Sequence, residues 1–396
     1  MPVTTEHSML PVLDAAQSAQ SAALLERLRA LFAAQGGWLR FDEFLQQVLY
    51  APGLGYYSAG AAKLGAAGDF TTAPELSALF GQCIARQAAP VIAALGGEAG
   101  GASLLELGPG SGALAATVLA RLESLGALPR HYDLLEVSAD LRARQQARIA
   151  QLPAHLAARV RWLERLPAEP LRGLILANEV ADALPFRCFA ATDDGYVERG
   201  VALDAQGSLA WAERPADAAL RAELGRLFDT PLAAGQQGEY CPTLNGWIAS
   251  LAGALAQGVL LLFDYGLGRS ELYHASRSAG TLRCHYRHRA HDDPFLHPGL
   301  QDITAWVDFT RVAEAAVDAG LEVRGYCTQA AFLLGAGIQQ ELAVATDLAA
   351  RARLASEARQ LLLPGEMGET FKAIALSRDL AVPLAGFVVQ DLRRLL

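Results

Sequence analysis

Residues 103–112 read S-L-L-E-L-G-P-G-S-G, and the rest of the chain is arranged around them. Leu104, Leu105 and Leu107 make a short apolar run of the kind that forms a strand buried on both faces. The run stops at Gly108-Pro109-Gly110-Ser111-Gly112, and a helix-forming stretch follows at 113–125. The spacing predicts a strand, a glycine turn and a helix N-terminus. Glycine lets the main chain turn sharply and leaves no Cβ between it and a ligand. The free N–H groups and positive dipole end of the helix favour an electron-rich group there. Residues 132–137 (Y-D-L-L-E-V) are the next expected strand, with Glu136 near its end. A carboxylate at that place can accept the hydroxyls of a ribose.

Two cofactor classes use such a turn. Dinucleotide-binding proteins write G-x-G-x-x-G; here the spacing is Glu106-x-Gly108-x-Gly110-x-Gly112. This E-x-G-x-G-x-G form resembles motif I of the class I S-adenosylmethionine (SAM) methyltransferases. In those there is no pyrophosphate to cradle, and the leading acid sits beside the cationic methionine end of the cofactor. The glycine spacing therefore disfavours an NAD(P) dehydrogenase. A glycine-rich βα turn can also exist without a ligand. Against that, the turn and the ribose acid occur together in the expected order.

The chain has 396 residues, enough for one large domain or two. Half of it is apolar (52%), the charged fraction is low (19%) and the formal net charge is −9, so a sizeable core is available. Nothing resembles a basic nucleic-acid footprint, and DNA or RNA is not expected as the main partner. No apolar run reaches the length needed to span a bilayer. The opening M-P-V-T-T-E-H-S-M-L has neither the basic start and apolar segment of a signal peptide nor the arginines of a transit peptide. A cytoplasmic location is the expectation. The five cysteines are scattered and form no C-x-x-C pair, which reads as free thiols in a reducing compartment.

Taken in order, residues 15–34 are expected as a helix ended by Gly36-Gly37, and 41–49 as a second helix before Y-A-P-G-L-G-Y-Y at 50–57. Residues 65–75 (G-A-A-G-D-F-T-T-A-P-E) have little to bury and suit a loop that contacts a ligand. A helix at 77–94 leads into the motif strand. Further strands are expected at 160–163, 171–178, 258–264, 321–326 and 371–376. Asn178-Glu179 closes the 171–178 strand, at the edge where parallel sheets bind ligands. Residues 188–212 alternate and carry turn signals, so they read as an antiparallel ribbon. Residues 270–302 show little periodicity and many His, Arg and Tyr, and are expected as a long covering loop. No His pair there has metal-ligand spacing, so a metal is not expected.

Laid out this way, the chain resembles the MidA family, whose eukaryotic members are mitochondrial complex I assembly methyltransferases. The likeness is carried by residues 44–57 with the tail L-Y-A-P-G-L-G-Y-Y-S, by G-D-F-T-T-A-P-E-L-S-A-L-F at 68–80, and by 106–112. It continues through Glu136-Val137-Ser138, A-N-E-V-A-D-A-L-P at 177–185, residues 263–266, and 280–304 from G-T-L-R-C-H to P-G-L-Q-D-I-T. The resemblance implies an α/β fold, a Rossmann-like class I sheet of seven strands with the last antiparallel. It also implies an N-terminal helical cap over 1–100, a core over 101–186 and 258–378, an inserted lobe over 187–257 and a tail over 379–396. It further implies SAM as cofactor and an arginine of a respiratory complex I-type subunit as acceptor. It allows a homodimer, for which no motif here establishes an interface.

Site roles follow as expectations. Glu106, Gly108, Gly110, Gly112 and Glu136 would hold SAM, with Asp69 and Thr71 closing over it. Glu179 and Asp302 would grip a guanidinium, oriented by Asn178 and Gln301. Two other readings stay open at this point: a small-molecule O- or N-methyltransferase, and a SAM-binding assembly chaperone with little catalysis.

Overall fold

The structure is a computed structural model that describes residues 12–58, 72–287, 289–344 and 347–396. The chain divides into two compact units, each made of three separated stretches. One comprises 1–71, 185–242 and 275–305; the other comprises 72–184, 243–274 and 306–396.

The second unit carries the sheet that the motif strand predicts. Its strands are β1 (Ser103–Leu107), β2 (His131–Leu135), β3 (Val160–Leu163), β4 (Leu171–Asn178), β5 (Leu255–Leu267), β6 (Glu322–Thr328) and β7 (Phe371–Arg378). Their order across the sheet is 6-7-5-4-1-2-3. Neighbours from β5 to β3 are parallel, and β7 runs antiparallel to both β5 and β6. The order reverses at β1, which has β2 on one side and β4 on the other. Open parallel sheets bind ligands outside the strand ends at such a switch point.

The apolar run of β1 is buried along its whole length because it lies at the centre of this sheet. The helix Ala78–Ala94 packs here and supplies Phe80, Ile84, Ala88 and Val91 to one core with Leu104, Leu174, Leu261 and Phe263. Phe263 meets Phe80 and Phe332 edge-on, with ring centroids 5.2 and 4.8 Å away. Each such ring contributes about 1.5–3 kcal/mol by leaving water. β5 is longer than the expected 258–264; its end reaches Leu267 and pairs with Val307–Asp308. The following helix is Phe309–Asp318, started by the Asp308 carboxylate, which accepts from the Arg311 N–H at 3.0 Å.

The other unit begins with the helix Ala15–Ala34. Asp14 caps it by accepting from Gln17 N (2.8 Å), while Gln17 Oε1 accepts from Asp14 N (3.2 Å). The expected ribbon is the centre of an antiparallel sheet: Gly195–Leu203 pairs with Arg187–Thr192, Leu209–Pro215 and Trp38–Leu39, and Arg187–Thr192 pairs with Gln237–Tyr240. Arg187 is buried and held by both Glu198 oxygens and by Asp217, each at 2.6 Å. The expectation of a structureless 270–302 is corrected. Arg283–Tyr286 pairs with Arg289–His291 and with Asp302–Thr304, a three-stranded sheet whose exposed charges hide its alternation. No helix among the described residues is long and apolar enough to cross a membrane.

Candidate active site

At the end of β1 the chain makes the turn its glycines require. Gly108, Gly110 and Gly112 have φ of 58°, 52° and 81°, in the left-handed region that side chains avoid. A Cβ on Gly108 would stand 3.0 Å from Val180 Cγ2. Gly112 starts the helix Ala113–Ser124 with no side-chain cap, so the first N–H groups face outward from a bare backbone.

Glu136 lies one residue past β2 and is buried. Its Oε1 accepts from Ser138 N (2.7 Å) and its Oε2 from Gln145 Nε2 (3.0 Å). Burial raises its pKa, and the hydrogen bonds from Ser138, Gln145 and Val137 pull it back. The same Gln145 Nε2 donates to Gly110 O at 2.8 Å, and Trp162 Nε1 donates to Gln145 Oε1 at 3.0 Å. One fully buried amide therefore ties the glycine turn to the acid. A carboxylate offers about four lone-pair positions, so Glu136 keeps acceptor capacity for added hydroxyls.

Glu106 is buried within β1, where Tyr132 Oη donates to its Oε2 at 2.7 Å. Burial pushes its pKa up to about 7, against the pull of the tyrosine bond. Glu75 reaches the same turn: it accepts from Ser111 Oγ, and Arg148 lies 3.7 Å from its other oxygen.

Across the switch point, Ala177 of β4 is level with Leu107 of β1. Asn178 follows, and its Nδ2 donates to Glu179 Oε1 at 3.0 Å. The Asn178 Oδ1 is buried with no hydrogen-bond partner among the described residues. Glu179 has φ of 54°, a conformation costly for a non-glycine residue and concentrated at functional sites. Asp264 is structural. Its Oδ2 accepts from Val180, Ala181 and Asp182 N–H groups at 2.9–3.3 Å and so holds the turn that follows Glu179. Burial, then the nearby Glu179 charge, raises its pKa.

Gln301 and Asp302 belong to the other unit. Both are buried; Tyr57 Oη donates to Asp302 Oδ1 at 2.7 Å, and Gln301 Nε2 donates to Asp293 O at 3.1 Å. Asp69 and Thr71 lie outside the described residues.

Gln145, Trp162, Glu75 and Tyr57 escaped the sequence reading. Only Glu75 and Tyr57 carried a signal, since each lies in a stretch already singled out. Val137 is 83% exposed beside Glu136, an apolar side chain left in water next to the acid.

A family model of S-adenosyl-L-methionine-dependent methyltransferases matches residues 83–327. The chain belongs to this family, the MidA family of the sequence reading. Among its relatives is mouse mitochondrial protein arginine methyltransferase NDUFAF7, 32% identical over 376 residues, which cover 86% of this chain and 81% of the mouse protein. The Drosophila melanogaster homolog is 29% identical, over 92% of this chain and 87% of its own. A Burkholderia thailandensis protein crystallised with S-adenosyl-homocysteine superposes with a TM-score of 0.91 at 43% identity, covering 98% of this chain and 100% of that one. This MidA-family enzyme is thus a SAM-dependent methyltransferase with the expected class I sheet. Its turn, buried acid and uncapped helix start are of the kind such a nucleoside needs.

Proposed function

We propose that the enzyme methylates an arginine side chain of a protein, the target class being a subunit of a complex I-type respiratory assembly. The observation that carries this is the pairing at the end of β4. A carboxylate on left-handed backbone, Glu179, stands next to a buried carbonyl oxygen, Asn178 Oδ1. Both are acceptors. A guanidinium has five N–H donors and no acceptor, so it complements such a pair better than a hydroxyl substrate does. The relatives named protein arginine methyltransferases support the same reading.

When bound, SAM supplies a methyl group already activated by its sulfonium. The protein's task is then alignment and electrostatics. Gly108, Gly110 and Gly112 let the main chain lie against the nucleoside. Glu136 accepts its ribose hydroxyls, Val137 offers an apolar face to the base, and Glu106 faces its ammonium end. Glu179 holds the guanidinium and draws its positive charge toward itself, leaving one nitrogen richer in electrons. Asn178 Nδ2, which donates to Glu179 Oε1, orients that carboxylate.

Incubation with methyl-labelled SAM and a bacterial lysate, followed by peptide mass spectrometry, tests the reading. Label on arginine of a protein is expected. Label confined to small molecules would replace it with the O- or N-methyltransferase reading, and absence of any transfer with SAM still bound would favour the assembly chaperone.

A further inference from the structure

The sequence marks residues 65–75 as a ligand-contacting loop, and the roles above give its last member, Glu75, no work. Glu75 lies in the one-turn helix Ala73–Leu76, which starts after Thr72 and has Pro74 in its first turn. A proline there is already set in helical geometry. Ala73 is buried in the core of the parallel sheet, and Leu76 packs against the same core. Ser77 follows: its Oγ accepts from Leu79 N at 3.1 Å, capping the helix Ala78–Ala94, and donates to Glu357 Oε2 at 2.6 Å. The short helix is thus seated on both sides of Glu75, and the direction of its side chain is set.

From that seat Glu75 reaches the glycine turn. Its Oε1 accepts from Ser111 Oγ, and its Oε2 lies 3.7 Å from Arg148 Nη2. Arg148 stands three residues after Gln145 on the helix Ala139–Ile149, a spacing that puts both on one face. Gln145 Nε2 donates to Gly110 O at 2.8 Å, and a Cβ on Gly112 would lie 3.4 Å from Gln145 Cα. Two consecutive residues of the turn are therefore held from outside, Gly110 by its carbonyl and Ser111 by its side chain. Glycines permit the shape of a turn but do not hold it, because each has more conformations to lose than any other residue. Glu75, Ser111, Gln145 and Arg148 all belong to one unit.

We propose that Glu75 is a positioning residue for the cofactor: through Ser111 it holds the glycine turn in the form that accepts SAM. A turn already set spends none of the binding energy on its own ordering. The proton that makes the link belongs to serine, since a carboxylate only accepts. Removing either partner frees the middle of a turn whose neighbours, Gly110 and Gly112, resist nothing.

The test uses the full chain as Glu75→Ala, Ser111→Ala, their double variant and Glu75→Gln, each titrated with SAM in a calorimeter, a measurement that needs no acceptor. Each alanine variant binds SAM about tenfold more weakly, the weight of one hydrogen bond to a charged group. The double variant also loses about tenfold, and not about a hundredfold, because both changes remove the same link. Glu75→Gln keeps an oxygen for the Ser111 proton and stays within about threefold of the wild type. Ligand-free melting temperatures move by less than about 4 °C in all four. Wild-type affinity in both alanine variants overturns the proposal, as do losses that multiply in the double variant. Glu75→Gln binding as poorly as Glu75→Ala overturns action through Ser111. A larger fall in the ligand-free melting temperature alongside the lost affinity makes Glu75 a stability residue and overturns the positioning role.

Discussion

The turn at 108–112 and the segment at 280–304 were both marked as functional from sequence, and they are built on opposite principles. The turn is fixed by what its main chain must do. Three left-handed glycines leave little freedom, and buried polar groups (Gln145, Glu136, Trp162) hold the rest. The 280–304 segment is fixed by strand pairing and by Glu239, which accepts from Thr281 N, Thr281 Oγ1 and Leu282 N. Among its described basic side chains, Arg283 and Arg289 are exposed, whereas His285, Arg287, His291 and His297 are partly buried. The difference teaches that a motif is legible when backbone geometry dictates the residue type, and obscure when charge merely decorates a surface.

Substitutions can break or sharpen that contrast. The largest effect is expected for Gly108→Val, which combines a positive φ with a Cβ 3.0 Å from Val180. Calorimetry should show no measurable SAM binding in a protein that still folds; normal binding would remove the turn from the site.

Glu106→Gln comes next. The folded carboxyl, with a pKa of about 7, holds its proton more tightly than the unfolded one, whose ordinary value is 4.5. Its contribution to stability is therefore complete below about pH 4.5 and is lost as pH rises through 7, by about 3 kcal/mol. Glutamine still accepts the Tyr132 bond and cannot ionise. Denaturant melts between pH 5 and 8 should show a flatter dependence in the variant, and an unchanged slope would refute the assignment.

Glu179→Gln should lower kcat about a hundredfold while leaving SAM affinity near the wild-type value. Loss of SAM binding would contradict its assigned role. Gln145→Ala strands the Trp162 N–H and removes a donor from Glu136, and should cost about 2 kcal/mol in a urea melt along with weaker SAM binding. Arg283→Ala, in the other region, breaks an exposed pair with Asp292 and should cost less than about 1 kcal/mol. A larger loss of either stability or transfer would mean the basic segment does more than face solvent.

The same contrast explains what could be read without a structure. β1, its turn and the following helix were legible because apolar run, glycines and helix formers each state one local preference. The helix Ala15–Ala34 was legible for the same reason. The partners of these elements were not. Gln145 reads as one more polar residue on a polar helix, yet it is fully buried and joins Gly110 to Glu136. Tyr57 and Asp302 stand in separate motifs, and only the fold shows their hydrogen bond. The strands within 270–302 were missed because Arg283, His285, Arg289 and His291 conceal a period of two under charge. The helix Ala78–Ala94 was assigned to the N-terminal cap by its place in the chain, whereas its apolar face belongs to the sheet core.

The most direct measurement is a crystal of this enzyme grown with S-adenosyl-homocysteine. The account predicts the nucleoside over the bend at Gly108–Gly110, with Glu136 within about 3 Å of its sugar hydroxyls. Density for the nucleoside elsewhere, or a Glu136 carboxylate turned from the sugar, would contradict it.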